Sequence, residues 1–130
     1  MKIDEFIPGA VRGEVTVFAS PRYSSHAAFS LETALEIVNA DAGEVLCVLN
    51  SLPPCAEPEA QGLVVLRCVT IRNIAHYVAR QIAEKDWHFF ALVIIERAWE
   101  HSEDEIETLQ ELRCVAVRFN VAVAVLAPSY

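Results

Sequence analysis

Two hydrophobic rhythms alternate along this chain of 130 residues. Residues 14–19 are rich in β-branched and aromatic side chains and predict a strand. Leu31, Ala34, Leu35 and Val38 then recur at i, i+3, i+4 and i+7, the spacing of one helical face. Ser24 or Ser25 is placed to cap that helix, and Gly43 suits the left-handed residue beyond its end. Residues 44–49 predict a second buried strand. Pro53, Pro54 and Pro58 then remove backbone donors, so an exposed loop is expected over 51–62. Residues 63–68 predict a third strand. Ile71, Ile74, Ala75, Val78 and Ile82 mark an amphipathic helix that runs to about Lys85. Residues 89–95 are the most apolar run and predict the central strand. Ser102 and Glu105 fit a capping box. Ile106, Leu109, Leu112, Arg113 and Ala116 carry that helix on one face, Asn120 ends it, and residues 121–127 predict the last strand.

Strand and helix alternating in this way imply right-handed crossovers and parallel pairing. The expected fold is therefore a three-layer α/β domain, with a mainly parallel five-stranded sheet and helices on both faces. The length fits a single domain over 1–130. Composition agrees: 54% of residues are hydrophobic and mean hydropathy is +0.32, as expected of strands covered on both faces. No apolar run approaches the roughly 18 residues of a membrane span.

Charge narrows the partners. A net charge of −8 argues against binding a phosphate backbone, which needs clustered Lys and Arg. Acidic residues concentrate between Glu96 and Glu111, and the plain reading is a solvated helix face. The first residues carry neither the basic segment nor the apolar stretch of an export signal. With that, Cys47, Cys55, Cys68 and Cys114, which form no C-x-x-C, are expected as reduced thiols in a cytoplasmic protein. His76, His88 and His101 lack the i, i+4 spacing of a helical metal pair, so no metal is expected. His76 is expected to share a helix surface with Arg80.

Ligands of parallel α/β sheets sit beyond the carboxyl ends of the strands. The first loop there is Ser20-Pro21-Arg22-Tyr23-Ser24-Ser25-His26-Ala27. A phosphate loop reads G-x-x-x-x-G-K-[ST], in which glycines let backbone N–H groups wrap the phosphates, lysine neutralises them and the hydroxyl holds magnesium.

Residues 13–20, this loop, and Ala28-Phe29-Ser30-Leu31 together resemble the opening of the ATPase domain of DnaB-type replicative helicases, in the RecA superfamily. That family shows a G-[DE]-L strand, then A-R-P-S-x-G-K-T, then A-F-A-L. In this register Ser20 and Ser25 replace the glycines, His26 the lysine and Ala27 the magnesium-binding hydroxyl. Shifting by one residue places Ala19, Ser24, Ser25 and His26 there instead, and neither register restores the motif. Leu92-Val93-Ile94-Ile95-Glu96 is similar to the Walker B strand, with glutamate for aspartate. The stretch from Leu109 to Leu126 resembles the family's following helix and strand. The catalytic glutamate expected after the second strand has no counterpart before Glu57, and the family's terminal glutamine falls near Pro128.

The resemblance implies a degenerate RecA-like domain, with no catalytic residue and no cofactor. Bulky Cβ atoms stand where backbone must approach phosphate, and an imidazole, mostly neutral near pH 7, replaces lysine poorly. The implied role is protein binding, to a RecA-superfamily ATPase or to further copies of the chain, since such domains assemble side by side. SulA, which resembles a minimal RecA fold and acts by binding FtsZ, is a precedent by analogy of fold only. Arg22, Tyr23, Arg97 and Trp99 are the expected partner contacts; for Trp99, packing against the next helix is the plainer alternative. The rival expectation is a small NTPase or nucleotide sensor using Glu96. Serine catalysis through Ser24 or Ser25 with His26 lacks an orienting acid and a nucleophile elbow.

Overall fold

The computed structural model describes residues 3–19, 26–49, 61–67, 73–85, 89–96 and 102–127. After a short 3₁₀ turn at Ile3–Glu5 come β1 (Val15–Ala19), α1 (His26–Asn39), β2 (Glu44–Leu49), β3 (Leu63–Arg67), α2 (Ile74–Glu84), β4 (Phe90–Glu96), α3 (Ser102–Phe119) and β5 (Ala122–Ala127). The five strands form one sheet in the order β1-β5-β4-β2-β3. Every pairing is parallel, so the sheet is wholly rather than mainly parallel among the described residues. The expected α/β class stands, and the most apolar run does occupy the centre: every residue of β4 is buried.

Side chains alternate across a strand, and the buried residues divide accordingly. Val45, Cys47 and Leu49 of β2 pack with Leu92 and Ile94 of β4 against Ala34 and Ile37 of α1. Leu46 and Val48 pack with Val93 and Ile95 against Val78 and Ile82 of α2 and against Leu112, Val115 and Ala116 of α3. Helix α1 thus lies on one face, and α2 and α3 on the other. The N-terminal segment shares the α1 face, where Ile3, Ile7 and Ala10 are buried, and Thr16 donates its hydroxyl to the Gly9 carbonyl at 2.9 Å. That packing has no forerunner in the sequence reading, because Ile3, Ile7 and Ala10 complete no full strand or helix pattern.

Several local expectations need correction. The sheet-facing residues of α1 include Ser30, Thr33, Ala34 and Ile37, all buried, while Leu31, Leu35 and Val38 are only half-buried. The helix is turned relative to its most apolar stripe because α1 packs chiefly on β2, with β3 and β4 beside it. The left-handed residue past α1 is Asp41, with φ 55, not Gly43. The Ala42 N–H reaches the Ile37 carbonyl and the Asp41 N–H reaches that of Val38, the two bonds of a Schellman motif.

Gly43 serves a different need. The pairing of β2 with β4 shifts register between Glu44 and Val45, opposite Phe90 and Leu92. This leaves Ala91 as an extra residue pressed toward β2. A Cβ at Gly43 would lie 2.5 Å from that of Ala91, so only glycine fits the approach.

Phe89 lies outside β4 and is 83% exposed; Ile106 is 68% exposed, and Arg113 is exposed as well. The buried stripe of α3 runs through Leu112, Val115 and Ala116, flanked by Leu109 and Phe119. Asn120 ends this helix as expected, at φ 52, with the Val121 N–H bonded to the Ala116 carbonyl at 3.1 Å. His76 and Arg80 are both exposed on α2, and Arg80 pairs with Glu84 at 2.9 Å.

Candidate functional site

The carboxyl edge of the sheet, the expected ligand side, is assembled by three strand ends. Register places Phe18 of β1 level with Leu126 of β5, and Leu126 level with Glu96 of β4. Phe18 and Leu126 belong to the α1 face, and Glu96 follows Leu92 and Ile94 onto that face by alternation. One row of side chains thus crosses the three strands just below the loops. Phe29, in the second turn of α1, meets Phe18 edge-to-face with ring centroids 5.8 Å apart and planes at 61°. That contact ties the N-terminal end of α1 to the row, and Ser30 is the next residue along the helix.

Three polar residues are buried among the described residues: Ser30 at 0%, Thr33 at 7% and Glu96 at 6% exposure. Ser30 and Thr33 form the N-terminal end of the sheet-facing stripe of α1, and Glu96 closes the central strand. The Ser30 Oγ has no hydrogen-bond partner among the described residues, and an unmet buried hydroxyl costs about 1–3 kcal/mol. Sequence reading passed over Ser30 and Thr33 because hydroxyls broke the apolar stripe; their i, i+3 spacing with Ala34 and Ile37 was the available signal.

Of the residues singled out in the sequence, Glu96 is the last residue of the central strand, and it is buried instead of solvated with the acidic α3 face. β5 separates its strand from β1, so about two strand spacings, ~10 Å, lie between the β4 and β1 axes. His26 and Ala27 are the first two residues of α1. Ser20, Arg22, Tyr23, Ser24, Ser25, Arg97 and Trp99 lie outside the described residues, as do Cys55, Cys68, His88, His101, most of the 51–62 loop and the side chains of the Ser102 cap.

Two further features bear on chemistry. Burial pushes the Cys47 thiol up to about 12, so it is inert, while Cys114 is exposed; both are free thiols. Among the described residues no cluster of three His, Cys, Asp or Glu could hold a metal ion, and no helix is long and apolar enough to cross a membrane.

The fold and this edge define an α/β protein with a five-stranded parallel sheet, which buries Ser30 and Thr33 on α1 and Glu96 at the end of the central strand. No protein-family model matches the chain, and no curated protein matches it.

Proposed function

We propose that this chain is a RecA-like domain without ATPase chemistry that acts by binding another protein, with a RecA-superfamily ATPase or helicase as the class of partner. The observation that carries the reading is the turn between Ala19 and His26. It leaves the carboxyl edge of the sheet, where such folds hold their ligands, and contains neither glycine nor lysine. Backbone N–H groups wrap phosphate only where no Cβ intervenes. The strand and the helix on either side are present while the phosphate-binding residue types between them are not, which suits a surface used for contact. Bacterial DNA replication and recombination, where superfamily ATPases assemble side by side, are the setting this reading implies.

Glu96 favours a second reading, a nucleotide sensor. It is a buried carboxylate at the end of the central strand, where a magnesium-holding group would stand. Thermal melting with and without Mg-ATP separates the two, because a ligand that binds the native state raises its stability by about 2.7 kcal/mol at a hundred times its Kd. The binding-module reading expects no shift. A rise of several degrees that Glu96→Gln abolishes would establish the sensor. The partner itself is tested by adding the chain to a purified replicative helicase or recombinase. Co-migration with altered ATP turnover is expected, and loss of both in an Arg22→Ala/Tyr23→Ala variant would assign the contact to the β1–α1 loop.

A further inference from the structure

Strand β1 is an edge: among the described residues it pairs only with β5. The Val123 N–H donates to the Glu14 carbonyl at 3.0 Å, and Val15 stands level with Val123. In a parallel ladder that pattern turns the peptide groups of Glu14, Thr16 and Phe18 toward β5, and those of Val15, Val17 and Ala19 outward. Natural sheet edges are blunted by lysine, proline, bulges or inward charges. Val15–Ala19 contains none of these.

The α3 side of this edge is apolar as well. Val15, Val17, Ile106 and Leu109 wall a groove of about 390 Å³ between β1 and α3. Val17 is 44%, Ile106 68% and Val117 64% exposed. Ile106, Gln110, Arg113 and Val117 follow one another at spacings of four, three and four, so they share one exposed face of α3, apolar at its two ends. The charged residues of the groove are Glu14 and Arg113, which cancel. The groove lining itself is therefore balanced in charge, while the exposed Glu107 and Glu111 of α3 lie outside it.

We infer that β1 and α3 form a two-fold interface between two copies of this chain, with β1 pairing antiparallel to the partner's β1 about Val17. Three features fit that occupant. Outward-facing residues at Val15, Val17 and Ala19 are symmetric about Val17, so each copy offers the hydrogen-bonding positions the other needs, as an isologous contact requires. Helix α3 packs on both β1 and β5 and so straddles their seam. With neighbouring strands ~4.8 Å apart, the two α3 helices then stand two strand spacings apart, ~10 Å, which is a helix-packing distance. The exposed stripe of each helix meets that of the other and closes the groove. The result is a continuous ten-stranded sheet, built from two five-stranded ones. This inference rests on the sheet edge alone and does not depend on what the carboxyl end binds.

Sedimentation of the full chain from about 5 to about 500 µM, a range spanning micromolar affinity, is the test, with hydrogen exchange of the Val15 and Val17 amides as its second readout. We expect a monomer–dimer equilibrium. Val17→Lys and Ile106→Glu should each weaken it about tenfold or more, while Phe89→Ser, just before the central strand and away from this edge, should leave it unchanged. The two amides should be protected in the dimer and exchange freely on dilution, which reads the pairing without any substitution. A chain that stays monomeric throughout overturns the inference and leaves the edge to an extended peptide of another protein. A dimer that Val17→Lys does not weaken, or in which those amides exchange freely, overturns it too.

Discussion

Replacing Ser30 by alanine should make the protein more stable, and the reason is local. The Ser30 side chain is fully buried on the sheet side of α1, and its Oγ finds no partner among the described residues. A helical serine commonly donates to the carbonyl one turn back; here that bond is not made. Removing an unmet buried hydroxyl recovers about 1–3 kcal/mol of desolvation cost. Alanine is also the better helix former by roughly 0.5 kcal/mol, against which the atom-sized void left behind costs about 1 kcal/mol or less. The sum spans about 0.5–3 kcal/mol, and we take a gain of about 1–2 kcal/mol from its middle. For a chain of this length that raises the melting temperature by roughly 3–8 °C. Urea denaturation followed by circular dichroism measures it directly, as a higher midpoint at unchanged m-value. A loss of 1 kcal/mol or more would show that the hydroxyl is bonded in solution and would refute the reasoning. Since most substitutions at buried positions destabilise, a gain here would mark Ser30 as retained for something other than folding, at the edge where the functional reading places its contacts.

Gly43→Ala should destabilise by about 1–3 kcal/mol, the cost of overpacking, because its Cβ would fall 2.5 Å from that of Ala91; Ala91→Gly in the same chain should recover part of the loss in urea titrations. Asp41→Gly should stabilise by up to ~1 kcal/mol in the same assay, since it relieves a left-handed φ of 55 and removes a carboxylate from the negative end of α1. Native Cys47 should resist a thiol reagent at pH 8 while exposed Cys114 reacts; rapid labelling of both would contradict the burial. The Cys47 thiol goes from 9.0 to about 12 on burial. Above pH 9 the unfolded chain therefore loses a proton that the folded chain keeps. Stability from this group is fully present below pH 9 and falls by about 1.4 kcal/mol per pH unit toward pH 12. Cys47→Ala should flatten that slope.

Which segments become strand or helix was legible because both are local: a period of two or of 3.6 is written into consecutive residues. β2 matched its run over Glu44–Leu49, and Asn120 closed α3 because its side chain tolerates the left-handed region. The candidate site was half legible. Glu96 could be placed at a strand end from the apolar run before it. Ser30 and Thr33 share a helical spacing with Ala34 and Ile37, but α1 also carries a more apolar stripe through Leu31, Leu35 and Val38, and only packing decides which of the two is buried.

Alternation and composition alone thus determined a parallel α/β domain with its most apolar strand at the centre and a β1–α1 connection that contains neither glycine nor lysine. Tertiary structure decided everything that depends on a distant neighbour. It made Gly43 a point of contact with Ala91 instead of a helix terminator, and it left Ile106 in solvent although it continues an apolar stripe. It put β1 at an edge, where among the described residues it pairs only with β5. Burial and pairing are properties of two segments at once, and a periodicity read along one segment carries no term for the other.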